Sequence, residues 1–301
     1  MDLVILAAGM GSRFGGLKQI EPIDEFGNFI IDYSIYDAKK AGFDKVIFII
    51  KEENLEIFKE TVGKRVEKYI KVEYAFQKLT DIPEGVVLPK DRVKPLGTAQ
   101  AILSCKDKVS DKFIIINSDD YYGQDAFMVA AKYLNSLKEG SKNQYGNIGY
   151  MAINTITENG SVKRGVLYFD SNKKLEKLVE SKIEKVNGKL EATPLDTTDT
   201  KVIPDDTLVS MNMFAFTKDI MTYLEDGYKK FFIDNKDNLA SCEYLIPTVV
   251  SDLINDGIVT CDVLKTKAVW YGVTYKEDKE FVVSSLKKLV DMGMYPKGIW
   301  K

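Results

Sequence analysis

The sequence predicts an α/β fold: a mostly parallel mixed sheet flanked by helices, with a smaller β-rich lobe grown from it. Three observations predict it. In the first half, short β-branched runs alternate with helical periodicity, the β-α-β-α-β order that builds a parallel sheet with helices on both faces. In the second half, apolar runs follow one another with fewer helical stretches between them. Between the first strand and the first helix, Gly9, Gly11, Gly15 and Gly16 are interleaved with Arg13 and Lys18. A glycine-rich turn of that kind at a strand-to-helix junction is where α/β folds hold anions.

Residues 2–7 read as a buried strand. A helix is expected over 31–41, with Ile31, Ile35 and Ala38 on one face and Gly42 just past its end. Strands are expected at 46–50, 72–76 and 113–116, and helices at 53–64 and 98–105. In the second half, 149–153, 166–169, 174–179 and 211–216 read as strands, and 218–223, 244–256 and 277–291 as helices. The polar, acidic run 196–206 reads as an exposed loop. No internal repeat or low-complexity linker interrupts the chain. The expectation is one domain over 1–301, with a nucleotide-binding core at 1–140 and an acceptor-binding lobe with the C-terminal helices at 141–301.

Composition narrows the chemistry. The chain has 301 residues, 45% of them hydrophobic, enough for a substantial core. A net charge of −3 gives no basic field for nucleic acid or an anionic membrane. The three cysteines, Cys105, Cys242 and Cys261, form no CxxC pair, so neither a zinc ribbon nor a disulfide framework is expected, and a reduced, cytoplasmic setting fits best. The apolar run at 3–8 is too short for a signal-peptide core. There is no histidine, which removes Ser/His triads and imidazole acid–base chemistry.

Three phosphate-binding loops compete for the glycine-rich turn. A dinucleotide fingerprint, G-x-G-x-x-G, fits Gly9 and Gly11 but meets Phe14 at its third position. A P-loop fits Gly11 and Gly16, but Leu17 stands where its lysine belongs and no Ser or Thr follows Lys18. The third candidate fits better. Leu6, Ala7, Ala8, Gly9, Gly11, Ser12, Arg13 and Lys18 resemble the signature of the sugar-phosphate nucleotidylyltransferases: a strand, L-A-x-G-x-G-[ST]-R, then a lysine. The physics agrees. Glycines let backbone N–H groups approach phosphate oxygens, while arginine offers a planar fork and lysine a mobile point charge.

Further segments extend the resemblance. KPLGTAQA, with Pro95, Gly97 and Thr98, resembles the family's nucleobase segment. Gln77, at the end of its strand, matches the glutamine that reads a pyrimidine; a side-chain amide donates and accepts side by side, which suits the imide edge of uracil or thymine. Arg92 and Lys94 fall in the insert between Gln77 and Gly97 and are candidates to reach the triphosphate. INSDDYYG ends a strand in Asp119 and Asp120. The resemblance makes Asp119 the Mg²⁺ ligand and Asp120 a neighbour on the nucleotide. In the second lobe it makes Gly165, Glu180, Lys182 and Asn212 acceptor-binding residues. One departure stands out: the family's late W-x-D-x-G-T, which carries a second metal ligand, reads VWYGVT here, with Trp270 but no carboxylate beside it.

The resemblance implies a Rossmann-like, nucleotide-diphospho-sugar transferase-like fold. The implied reaction transfers the nucleoside monophosphate of a pyrimidine triphosphate, UTP or dTTP favoured, to a sugar 1-phosphate with release of pyrophosphate, using Mg²⁺. Arg13, Lys18 and Asp119 would be catalytic. The implied partners are the nucleoside triphosphate and a phosphorylated small-molecule acceptor, with no nucleic acid and no membrane. Two alternatives stay open: a cytidylyltransferase with a non-sugar phosphate such as phosphocholine, against which Gln77 argues because cytosine lacks the N3–H, and a non-catalytic nucleotide-sugar-binding regulator. An NAD(P)-dependent oxidoreductase would need Asp32 as its ribose acid. No hexapeptide-repeat β-helix follows the second lobe, so a fused acyltransferase is not expected.

Overall fold

Strand β1 (Asp2–Leu6) opens the sheet, and its alternation decides the layering. The structure, a computed structural model, describes residues 1–9, 22–272 and 278–300. Leu3 and Ile5 point into one hydrophobic cluster and Val4 into another, and all three are fully buried. The same division continues through β2 (Lys45–Ile50), where Val46 and Phe48 face one way and Ile47 and Ile49 the other. Both faces of the sheet are therefore covered, as parallel strands require.

On the first face lie α1 (Ile30–Ala41), which ends at Gly42 with φ +97°, and the helical run that begins at 52. That run is an irregular helix: a 3₁₀ turn at Glu52–Asn54, α2 (Leu55–Phe58), a π segment at Lys59–Gly63 and α3 (Lys64–Val66). A Cβ at Gly63 would come within 2.3 Å of the Tyr74 hydroxyl, on β3 (Lys71–Phe76), so the wide turn brings backbone against the sheet. The short α4 (Thr98–Leu103) follows, then β4 (Lys112–Asn117), the two-residue β5 (Asp120–Tyr121) and α5 (Gln124–Ser136).

The second half supplies β6 (Gln144–Met151), β7 (Val162–Phe169), β8 (Leu175–Val186), β9 (Lys189–Pro194), β10 (Lys201–Ile203) and β11 (Leu208–Thr217). After them come α6 (Ile220–Asp234), α7 (Ile246–Asn255), β12 (Thr260–Lys265), β13 (Tyr271–Gly272) and α8 (Asp278–Asp291). Among the described residues eleven strands make one sheet, in the order β10-β9-β8-β7-β11-β4-β1-β2-β3, with β6 paired to β11 and β12. The run β4-β1-β2-β3 is parallel and β11 meets β4 antiparallel, so the sheet is mixed.

Several elements differ from the sequence expectation. The stretch 196–206 is not all loop: β10 lies within it and pairs with β9. Strand β8 runs seven residues past 179, into a two-residue turn at Asn187 and Gly188 with φ of 51° and 77°, the mirror-image turn that Asn-Gly favours. Helix α5 was not expected, and α6 extends eleven residues beyond 223. Its Gly227 is a packing residue rather than a breaker, since a Cβ there would meet the Tyr244 hydroxyl at 2.5 Å. The C-terminal stretch returns to its own chain. Tyr295 and Ile299 are buried with Tyr33 of α1 and Leu286 of α8.

Candidate active site

The strand order places a crevice between β1 and β4. From β1 the chain leads through α1 to β2 on one side, and from β4 through α5 to β6, which lies beside β11 on the other; open α/β sheets bind ligands outside the carboxyl ends of strands at such a point. A cleft of about 250 Å³ lies there. Its walls include Leu6, Ala8 and Gly9 at and after the end of β1, Gln77 after β3, Pro95, Gly97 and Thr98 at the start of α4, and Asp119 after β4. Residues more than a hundred positions apart thus meet at one cleft. Ala7 is buried beneath the cleft, its N–H donating to the Ile49 carbonyl at 2.8 Å. Gly11, Ser12, Arg13 and Lys18 lie outside the described residues.

Gly97 has φ +107°, and a Cβ on it would strike the Tyr244 carbonyl oxygen at 2.3 Å. The close approach that demands glycine is therefore made by the backbone of Tyr244, whose N–H donates to Leu96 O and whose carbonyl accepts from Ala99. At Gly165 a Cβ would lie 2.7 Å from Leu178 across the β7–β8 pair, so strand packing accounts for that glycine.

Gln77 does stand beside Gly97 despite the insert. Its Nε2 donates to the Gly97 carbonyl (3.1 Å) and to Gln100 Oε1 (2.8 Å). Only Oε1 is left to read a base, so the side-by-side donor and acceptor expected from the sequence becomes a single acceptor. Arg92 does not point toward phosphate. It is buried, and its guanidinium donates to the carbonyls of Lys94, Leu239, Pro95 and Cys242 at 2.6–2.9 Å, clamping the insert to the segment before α7. Lys94 pairs with Glu243 at 2.7 Å; Glu243 also lines the cleft, and no sequence signal marked it.

The two adjacent aspartates separate. Asp119 faces the cleft, and among the described residues no donor reaches its carboxylate. Asp120 turns the other way. Its Oδ2 accepts from Asn117 Nδ2 at 2.9 Å and lies 3.3 Å from the Tyr122 hydroxyl. Burial and the neighbouring Asp119 push its carboxyl up to about 7. The strand-end Asn117, which the sequence reading passed over, connects these groups, because its Oδ1 accepts from Asn212 Nδ2 at 3.1 Å. Asn212 sits at φ +61° where β11 shifts register between Ser210 and Phe214, which aims it at the end of β4. Of the other second-lobe candidates, Glu180 lies opposite Gly165 in the β7–β8 register and is exposed, while Lys182 is paired with Glu184 at 2.8 Å.

The late Trp270 segment also arrives here. Gly272 pairs with Asp120, and a Cβ on it would meet the Trp270 ring at 2.2 Å and Asp120 Oδ1 at 2.9 Å. No side chain fits at Gly272, and the nearest carboxylate is the one on Asp120. Asp32 offers no ribose ligand: its oxygens accept from Phe29 N–H (2.8 Å), Arg65 (2.8 Å) and Trp300 Nε1 (2.7 Å), a buried knot that fixes the start of α1.

Comparison with known proteins agrees with this arrangement. The family described as Nucleotidyl transferase matches residues 3–274. The bifunctional protein GlmU of Staphylococcus epidermidis is 24% identical over 257 residues, 84% of this chain and 45% of that protein. GlmU of Methanococcus maripaludis is 27% identical over 161 residues, 50% of this chain and 33% of that protein. The chain thus spans less than half the length of these curated relatives. Among solved structures, a putative glucose-1-phosphate thymidylyltransferase from Bacillus anthracis superposes with a TM-score of 0.61 at 15% identity, over 95% of this chain and 94% of that one. The inositol-1-phosphate CTP transferase from T. maritima does so with a TM-score of 0.59 at 14% identity, over 94% of both chains. No helix among the described residues is long and apolar enough to cross a membrane. Family match and fold together identify this chain as a member of the nucleotidyl transferase family.

Proposed function

We propose that this enzyme transfers the nucleoside monophosphate of a pyrimidine triphosphate to a sugar 1-phosphate, releasing pyrophosphate. The observation that carries the reading is the cleft at the β1/β4 crevice, where Gln77, Gly97 and Thr98 stand at one end and Gly9 and Asp119 at the other. A base at the first end puts its phosphates along the turn after β1. Arg13 and Lys18 belong to that turn in sequence and are assigned to the leaving pyrophosphate.

A divalent cation fits Asp119, whose carboxylate faces the cleft with no protein donor among the described residues. Among those residues no three carboxylates or cysteines gather, which suits Mg²⁺: it takes one or two carboxylates and completes its shell with phosphate oxygens and water. Bound there, Mg²⁺ supplies positive charge to the phosphates in the transition state. The rest falls to the chain. An acceptor phosphate, with a second pKa of about 6, is largely dianionic at neutral pH and needs no base to become a nucleophile. The protein aligns two polyanions and spreads the charge of the in-line displacement, so the absence of histidine is no obstacle. The acceptor is assigned to the second-lobe side, at Gly165, Glu180, Lys182 and Asn212.

A cytidylyltransferase is the second reading, and one observation favours it. With Nε2 of Gln77 engaged, its free Oε1 accepts equally from the N3–H of uracil or thymine and from the N4 amino group of cytosine. The test is pyrophosphate release from UTP, dTTP, CTP, GTP and ATP, each against sugar 1-phosphates and phosphocholine with Mg²⁺. Release with UTP or dTTP and one sugar 1-phosphate supports the first reading; release with CTP alone selects the second. Nucleotide binding without turnover on any acceptor would leave a nucleotide-binding regulator, and no binding at all would remove the reading of the cleft.

A further inference from the structure

A second cavity, of about 470 Å³, shares no described residue with the nucleotide cleft. It is walled by Arg164 of β7, Trp270 and Gly272 around β13, Phe281 of α8, and Asn154 and Thr157 of the turn after β6. Arg164 is the unusual member. It is 7% exposed, yet among the described residues no carboxylate forms a salt bridge with it. Its guanidinium stacks over the Trp270 ring at 4.5 Å, Nη1 donates to the Lys163 carbonyl at 2.8 Å, and Nη2 donates to the Thr155 carbonyl. Nε is buried with no partner, and so is Nε1 of Trp270, a residue 8% exposed. Burial weakens the hold of Arg164 on its proton, lowering its pKa to about 10.

The contrast with Arg92 is informative. Both guanidinium groups are buried, but Arg92 is satisfied by four backbone carbonyls and reads as a structural clamp. Arg164 touches no carboxylate among the described residues, feels Asp120, Glu180 and Asp278 only at longer range, and keeps an unused Nε donor, which a buried cation does not do without cost. The acids in the same wall make their contacts elsewhere: Asp278 accepts from Thr157 (2.6 Å) and Asn159 (2.8 Å), and Glu158 faces Lys185 at 3.5 Å. Two buried N–H donors, one of them cationic, beside aromatic and apolar wall suit an oxyanion carried on a compact organic body.

We propose that the Arg164–Trp270 cavity binds a small molecule through a phosphate or carboxylate group, at a site separate from the nucleotide cleft. The site does not depend on the identity of the nucleotide. Its position suggests a consequence: Gly272, in its wall, pairs with Asp120, beside Asp119 of the cleft, so an occupant is one strand pair from the reacting phosphates.

The chain has two tryptophans, so the indole N–H resonances of isotopically labelled protein give a direct readout. Trp270→Phe identifies the Trp270 signal. Inorganic phosphate and citrate are titrated separately, with and without saturating nucleoside triphosphate and Mg²⁺, and glucose 1-phosphate without them. The expected result is a saturable shift of the Trp270 indole and of the Arg164 Nε–H, with the Trp300 indole unmoved and nucleotide without effect. Phosphate and citrate as separate arms tell which oxyanion is preferred. Arg164→Gln should weaken binding about tenfold or more, since a charge-assisted bond is lost. The proposal is overturned if none of the three probes moves either resonance, if Arg164→Gln binds as tightly as wild type, or if nucleotide displaces the probe. Should Arg164→Gln not fold, the wild-type Arg164 Nε–H signal decides. Failure of nucleotide to bind its cleft would count against the proposed function and leave this titration intact.

Discussion

The two ends of the candidate active site are built differently. At the nucleotide end, the backbone makes the cleft, and Asp119 and Gln77 Oε1 are left with open valences facing it. At the second-lobe end, the side chains that resemble acceptor ligands are already held: Lys182 by Glu184, Asn212 by Asn117, Gly165 under Leu178. A phosphate-binding turn is a property of backbone shape, which glycines and strand ends announce in sequence. An acceptor pocket is a property of side-chain allegiance, which depends on neighbours distant in the chain.

The largest expected effect tests the first half. If Arg92 is a clamp and not a phosphate ligand, Arg92→Ala leaves four carbonyls without their donor, that of Cys242 in a buried bond, and should cost about 2–3 kcal/mol of stability in urea unfolding. Activity of the protein that remains folded at low temperature should be near normal. A stable variant with lost turnover would return Arg92 to the triphosphate.

Asp119→Ala comes next, because it removes the one carboxylate among the described residues that faces the cleft without a protein partner. Loss of a charge-stabilising group typically costs ~10²–10³-fold in turnover. The protein should keep its fold by circular dichroism while pyrophosphate release falls toward background. A folded variant with more than about a tenth of wild-type turnover would take Asp119 out of the mechanism, since that is far below the usual cost.

How much of this was legible follows the same division. Strands β1 and β2 and helix α1 were plain because periodicity and burial coincide there. Helix α5 was legible and missed: Ala126, Phe127, Ala130, Ala131 and Leu134 make one apolar face. The turn at Asn187 and Gly188 likewise announces the β8–β9 hairpin. Other features were not readable. The π segment at Lys59–Gly63 answers to Tyr74, the glycine at 97 answers to Tyr244, and the bulge at Asn212 is a matter of strand register. Each depends on a contact made across the fold.

Where the C-terminal stretch returns to the first half, Tyr295 donates to Asp37 Oδ2 at 2.6 Å, and Asp37 Oδ1 is buried without a partner. Burial, only partly opposed by the Tyr295 bond and Lys40, pushes the Asp37 carboxyl from 3.8 up to about 7. The sign follows from proton uptake. Between these two values the folded state holds a proton that the unfolded state releases, so this group's stabilisation is full below about pH 4 and is lost as pH rises toward 7. The loss is on the order of a few kcal/mol. Asp37→Asn keeps an acceptor for Tyr295 and cannot ionise, so it should flatten the fall in melting temperature between pH 5 and pH 8. An unchanged slope would show that other groups set it.

The smallest effect sharpens the comparison most. Gln77 gives the nucleotide end a free side-chain acceptor for a base, and a single neutral hydrogen bond is worth about 0.5–1.5 kcal/mol. Gln77→Ala should raise KM for the preferred triphosphate by up to about tenfold and leave kcat nearly unchanged, the pattern of a contact made equally in ground and transition states. It would also free Gln100 Oε1 and the Gly97 carbonyl, which Gln77 Nε2 now occupies. Two more acceptors at the base edge favour cytosine's amino group over an imide whose oxygens face them. The ratio of CTP to UTP use should therefore rise in the variant. A ratio that stays fixed while KM rises would mean that the base is read elsewhere, by the backbone around Gly97, and that selectivity at this end needs no side chain.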